Sequence, residues 1–288
     1  MQLTNKTRGI FCILGAALGF AMMGFFVRLA GNLPTFEKAF FRNAVAAFVA
    51  AITLKRRGIS TFVPRELRGS LLARCICGTV GIIGNFYALS IINLADASML
   101  NKLSPFWAIL CSYFVLGEKC RPAQFAMVFG AFCGAMLIIK PGGTSIPVDA
   151  GLAGLIGGIG AGVAYTFVRR MSKSGLSGSV IVFYFSLFST IVMVPFCIGN
   201  FVVPTSVQLI EMILAGCSAA CGQFCITAAY GYAPASEISI YDYAQVIFSA
   251  VLGLIFFEQM PDVLSFIGYI IVIIMALLNF YYNKRRAS

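Results

Sequence analysis

The sequence predicts an all-α membrane protein: ten transmembrane helices arranged as two five-helix repeats of inverted topology. Three observations lead there. Of 288 residues, 60% are hydrophobic and only 11% charged, with a mean hydropathy of +0.92, where a soluble domain is about half apolar and about a quarter charged. Apolar stretches of about 20 residues, the length of a span, recur along the whole chain. Finally, the stretch beginning at Gly84 is echoed by the stretch beginning at Gly222. The alternating pattern of a membrane barrel is absent, so the spans are expected to be helices, which satisfy their own backbone hydrogen bonds in lipid.

The first span, GIFCILGAALGFAMMGFFVRLAG, is too long in its apolar core for a secretory signal and is expected to be retained. The second opens with TFEKAFFRN, and the third, centred near residue 82, carries Asn85 directly after a glycine. In the fourth, centred near residue 105, Pro105 frees a carbonyl and is expected to kink the helix. The fifth has Gly130 and Gly134 at close-packing spacing and ends at the PGG break near Pro141. The sixth, GLAGLIGGIGAGVAY, is nearly without side chains on one face, and the seventh is centred near residue 188. Cys217, Cys221 and Cys225 share a face of the eighth, an arrangement read as packing rather than as a metal or redox site. The ninth begins ASEISIYDYAQ, and the tenth runs into Lys284, Arg285 and Arg286.

Net charge +11 raises nucleic-acid binding, but the distribution of charge argues for orientation instead. With the N-terminus inside, the inner connections hold Lys6, Arg8, Lys55 to Arg57, Arg65, Arg68, Arg74, Lys119, Arg121, Arg169, Arg170, Lys173 and Lys284 to Arg286. Only Arg28, Lys38, Arg42, Lys102 and Lys140 fall in the spans or outside. This positive-inside bias predicts cytoplasmic termini and an even number of crossings in a cytoplasmic membrane.

GNFYALSIINLADASMLNKLSPFW from Gly84 and GQFCITAAYGYAPASEISIYDYAQ from Gly222 both run Gly, amide, Phe, an apolar turn, a short break, and Ala-Ser before a further span. Glu118 in LGEKCRP and Glu258 in FFEQMPD follow at corresponding ends and are read as gating or hinge contacts. Five spans on each side of Pro141 define repeats 1–141 and 142–288. An odd number per repeat makes the second copy enter from the opposite face, and such folds place a substrate site near the midplane.

Together TFEKAFFRN, ADASMLNKLSPFWAILCSYFVLGEK and APASEISIYDYAQVIFSAVLGLIFFEQMPD resemble the EamA branch of the drug/metabolite transporter superfamily over nearly the whole length. Within it they look most similar to carriers grouped with S-adenosylmethionine uptake proteins. The resemblance implies a small-metabolite carrier of a bacterial inner membrane, with amino acids or their derivatives as the leading substrates. S-adenosylmethionine or another cationic metabolite or drug is the alternative. It also implies an Arg at the position of Arg42, as a pocket charge or ion-pair partner; from the residues alone, snorkelling to the interface is an equal reading.

Wound at about 100° per residue, Glu237, Tyr241, Asp242, Gln245 and Ser249 share about 140° of arc. Ionised groups at mid-bilayer cost at least about 2.5–3.5 kcal/mol, so this arc is expected to face a wet cavity. Glu237 also has a role in the helix dipole. In the fourth span Ser98, Asn101, Lys102, Pro105 and Ser112 share an arc; Lys102 either snorkels outward or partners Asp242 or a substrate carboxylate. Asn85 and Gln223 occupy equivalent repeat positions and either orient a ligand or bridge helices. Tyr87, Trp107, Tyr165, Tyr184 and Tyr241 offer aromatic walls. The expected binding set is Arg42, Asn85, Tyr87, Asn101, Lys102, Trp107, Gln223, Glu237, Tyr241, Asp242 and Gln245.

No catalytic residues, metal or cofactor are expected. His is absent, and no nucleophile with a base stands at a workable spacing, so an enzyme is the remote reading. A channel is equally remote, because pores favour rings of repeated polar side chains. Partners are a small-molecule substrate and lipid, with protons as a coupling ion carried by Asp242 if transport is proton-driven. The chain is expected to be a monomer or weak homodimer.

Overall fold

A computed structural model describes residues 5–116, 122–140, 147–199, 201–232 and 239–287. These residues are helical, with no strand among them. In chain order the helices are α1 (Asn5–Leu29), α2 (Thr35–Arg57), α3 (Arg65–Ile91), α4 (Leu94–Asn101), α5 (Ser104–Leu116), α6 (Pro122–Ile139), α7 (Val148–Lys173), α8 (Gly178–Ile198) and α9 (Ser206–Tyr232). A 3₁₀ turn, Ser239–Tyr243, then leads into α10 (Ala244–Phe257) and α11 (Val263–Ala287).

Among the described residues, six helices are both long and apolar enough to cross a membrane: α1, α3, α7, α8, α9 and α11. The other expected spans fall short of that test for identifiable reasons. The second, α2, carries Glu37, Lys38 and Arg42 near one end and Lys55, Arg56 and Arg57 at the other. The fourth is split into α4 and α5 by a turn at Lys102 and Leu103, and the ninth into the 3₁₀ turn and α10. The fifth, α6, is short. The break and the 3₁₀ turn fall at equivalent places in the repeat, since Lys102 aligns with Ile240 when Gly84 is set on Gly222. Pro105 explains the first: it has no N–H to give to the carbonyl one turn back, and Lys102 ends α4 with φ −73° and ψ 3°.

Packing is dominated by pairs drawn from the two halves of the chain. α1 lies on α9 and α10, α2 on α8 and α9, α3 on α7 and α8, α4 and α5 on α7, α4 on α10, and α6 on α11. Exchange each helix of the first half for its counterpart in the second and this set of pairs maps onto itself. Small residues make the closest approaches possible. A Cβ on Gly84 would stand 2.4 Å from the Ala153 carbonyl oxygen, and one on Gly19 would stand 2.9 Å from the Gly222 nitrogen. These are backbone-to-backbone contacts that side chains would forbid. The expected small-residue faces at Gly134 and Gly158 are likewise used, against Val272 and against the Leu100 carbonyl. The cysteine face behaves otherwise: Cys217 and Cys221 are exposed, and Cys225 alone of the three packs, against Gly15.

Polar contacts between the halves collect at one end of the bundle. There Gln259 Oε1 accepts from the Leu94 N–H, Glu37 from the Val202 N–H, Gln208 Nε2 donates to the Ala30 carbonyl, and Tyr269 Oη donates to Asp96. Lys140 pairs with Asp262 in the same region. Toward the opposite end, contacts between the halves include Tyr184 Oη to the Thr61 carbonyl and Thr166 Oγ1 to the Ala108 carbonyl. Glu37 and Lys38, in the first turn of α2, are buried, and Lys38 Nζ donates to the Gly31 carbonyl at 2.6 Å. Glu258 caps α10 in the left-handed conformation at φ 52°, while Glu118 and Pro141 lie outside the described residues.

Candidate functional site

A small cavity of about 60 Å³ lies between the halves, below the about 300–1,000 Å³ usual for small-molecule sites. Helices from both halves contribute its lining: α1 and α2, the middle of α3, the α4–α5 break, α7 and α8, α9, and the 3₁₀ turn with the start of α10.

Seven of the expected residues are brought together there: Arg42, Asn85, Asn101, Lys102, Gln223, Asp242 and Gln245. Lys102 and Asp242 form an ion pair at 2.6 Å, nearly closed off from solvent. Snorkelling by Lys102 is therefore corrected: the break in the fourth span turns the side chain inward to the opposite half. The neighbouring Tyr243 Oη donates to the Lys102 carbonyl at 3.1 Å, satisfying a backbone oxygen that the split leaves open. One turn away, the Ser98 and Ser249 hydroxyls meet at 2.7 Å and tie the same two broken spans together. Arg42 does not snorkel either. It is 2% exposed, and its guanidinium donates to Asn43 Oδ1 at 2.6 Å.

Three expected residues lie elsewhere, and Glu237 lies outside the described residues. Tyr241 is 38% exposed. A 3₁₀ turn advances about 120° per residue instead of about 100°, so winding from Tyr241 to Gln245 through the turn rotates the ring out of the polar arc. Trp107 lines a smaller apolar pocket with Phe106, Val128 and Phe132, because the break at Lys102 and Leu103 resets the helical phase before α5. Tyr87 sits two positions, about 200°, from Asn85 on α3, and its hydroxyl donates instead to Asp149 of α7 at 2.6 Å. Of the other aromatic candidates, Tyr165 lines the cavity and Tyr184 ties down the Thr61 carbonyl.

Arg74 is the residue that sequence reasoning misplaced. Its position after Arg65 and Arg68 reads as a loop charge, but α3 begins at Arg65, which carries Arg74 more than two turns into the helix. There it is 3% exposed and lines the cavity. Its guanidinium lies over the Phe185 ring at 3.8 Å and within 5.9 Å of the Tyr165 ring. The signal that could have found it is spacing: Arg74, Gly78, Gly81 and Asn85 recur at intervals of four and three, one stripe of a helix.

A polar, ion-paired chamber enclosed by two helical halves of a multi-pass membrane protein defines a transporter. The chain belongs to the EamA-like transporter family, whose sequence profile matches residues 7–140 and again residues 150–281. It is 30% identical over 276 residues to the pseudopaline exporter CntI of Pseudomonas aeruginosa, covering 95% of this chain and 96% of that one. An S-adenosylmethionine uptake transporter of Rickettsia bellii is 22% identical over 268 residues, 90% of this chain and 88% of that one. A crystal structure 19% identical in sequence superposes with a TM-score of 0.69 over 97% of this chain and 99% of the other, and so has the same fold.

Proposed function

We propose that the chain is a secondary carrier that moves a small amphoteric metabolite, an amino acid or amino-acid derivative, across a bacterial cytoplasmic membrane by alternating access. In this reading the ten expected spans all cross, repeats 1–141 and 142–288 enter from opposite faces, and both termini are cytoplasmic. The exchange-symmetric packing supports the paired repeats, and the loop charges support the orientation.

The observation that carries the proposal is the Lys102–Asp242 pair, made across the halves between the break in the fourth span and the 3₁₀ turn that opens the ninth. Broken helices at the midplane are where carriers of this kind bind their cargo. A substrate carboxylate and ammonium would each find an opposite charge there, with Asn85, Gln223 and Gln245 orienting the molecule by neutral hydrogen bonds. The polar contacts at the Asp96 and Asp262 end hold that end shut, and their exchange for contacts at the other end is the expected rocking motion.

The test is counterflow in proteoliposomes. Saturable exchange of a labelled amino acid that falls at least tenfold in Asp242→Asn supports the carrier reading, whereas ionic conductance without counterflow replaces it with a channel. In the same assay, a pH profile for residual uptake that is unchanged by Asp242→Asn removes this carboxylate from proton coupling.

A further inference from the structure

We infer that the cargo is acidic: an amino-acid derivative carrying at least two carboxylates, two of which are received by Arg42 and Arg74. The inference rests on the carrier reading above and narrows its substrate class.

Among the described residues the charged lining consists of Arg42, Arg74, Lys102 and Asp242, three cations against one carboxylate. Lys102 and Asp242 compensate each other. The two arginines are left over. Arg42 donates to a neutral amide, and its Nε has no partner. Arg74 meets aromatic rings, and its Nε likewise has none. The two guanidinium groups line the same cavity, and both are at most 3% exposed. Removing one such ion from water costs several kcal/mol. Cation–π contacts with Phe185 and Tyr165 offset part of that penalty for Arg74. The remainder calls for anions entering the cavity.

The geometry of Arg74 suits that task. Phe185 covers the face of the guanidinium, which leaves its N–H edges as the directions for hydrogen bonding, and the planar fork matches a carboxylate bidentately. Gly78 makes the clamp possible: a Cβ there would stand 2.1 Å from Arg74 Nη1 and 2.6 Å from the Phe185 ring. Acceptors are orphaned in the same cavity. Of the seven buried side-chain N and O atoms without a partner among the described residues, four belong to its lining: Arg42 Nε, Arg74 Nε, Asn85 Oδ1 and Asp242 Oδ1. Two donors for anions and two acceptors for an ammonium describe an amino acid with more carboxylates than amines. A cation such as S-adenosylmethionine or a polyamine would meet uncompensated positive charge.

The experiment is thermal unfolding of the full chain in nanodiscs of neutral phosphatidylcholine, with glutamate, citrate, alanine, inorganic phosphate, S-adenosylmethionine and spermidine as probes. Glutamate is expected to raise the midpoint more than alanine does, and the two cations to leave it unchanged. Arg42→Gln and Arg74→Gln are each expected to abolish the glutamate shift while raising the ligand-free midpoint, since each deletes an uncompensated buried charge. Arg74→Lys, which keeps the charge and loses the fork, should retain only part of the shift. A shift from alanine equal to that from glutamate and surviving Arg74→Gln overturns the inference, as does stabilisation by spermidine or the absence of any shift with both carboxylate probes. A shift from phosphate alone, or only on adding anionic lipid to the discs, assigns the arginines to phosphate or to headgroups and also overturns it. Counterflow separates the two proposals. Saturable exchange of alanine alone leaves a carrier without the acidic cargo, and glutamate binding without exchange leaves the charge assignment without the carrier.

Discussion

Replacing Lys102 with Met and Asp242 with Asn, singly and together, tests the ion pair on which the site is built. At 2.6 Å and an effective dielectric constant of about 20, the gross attraction is about 6 kcal/mol. Desolvation of both groups offsets most of it, so the pair as a whole adds little net stability. Removing one partner is a different matter, because it strands the other charge in the cavity at a cost of about 3–5 kcal/mol. Each single variant should therefore be destabilised by that amount in detergent-titration unfolding, and the double variant should lie within about 1 kcal/mol of the parent. Transport should fail in all three. Single effects that simply add in the double variant would show that the two groups do not meet, and the site would have to be rebuilt around other contacts.

Two further outcomes follow from other parts of the structure. Gly84→Ala places a methyl group 2.4 Å from the Ala153 carbonyl oxygen on a fixed backbone and should lower stability by about 1–3 kcal/mol; Gly69→Ala, in the same helix but with open space for the added atom, should raise it by about 0.5–1 kcal/mol. At Asp262, in the connection before α11, burial pushes the carboxyl up, but hydrogen bonds from Lys140 and Ser265 outweigh it and hold the group below its ordinary value of 3.8. A depressed carboxylate adds stability that is complete above its unfolded-state value and is lost as pH falls through the folded-state one. The midpoint of Asp262→Asn should thus lie below that of the parent at neutral pH and converge with it below about pH 4; a gap that persists in acid would refute the pairing.

The helical class and the paired repeats were legible because span length, hydropathy and repetition are properties of the chain alone. Seven cavity residues were legible for a related reason: a polar side chain in an apolar span must face inward. Tyr241 and Trp107 were lost because each lies beyond a point where the helix changes pitch or restarts, and an ideal 100° winding carries no knowledge of that. Arg74 was lost because a helix start cannot be fixed to within a turn or two from hydropathy when the first turns are themselves basic. Tyr87 depended on Asp149, a partner some 60 positions away in the chain, which no local pattern reveals.

The ion pair also makes the two repeats unequal. Superposing the repeats sets Ile240 on Lys102 and Ser104 on Asp242, so neither segment contains both members of the couple. Two copies of the first would confront an ammonium with a hydroxyl, and two copies of the second a carboxylate with an alkyl group. The two segments are therefore not interchangeable, and the single polypeptide supplies one of each kind to every molecule.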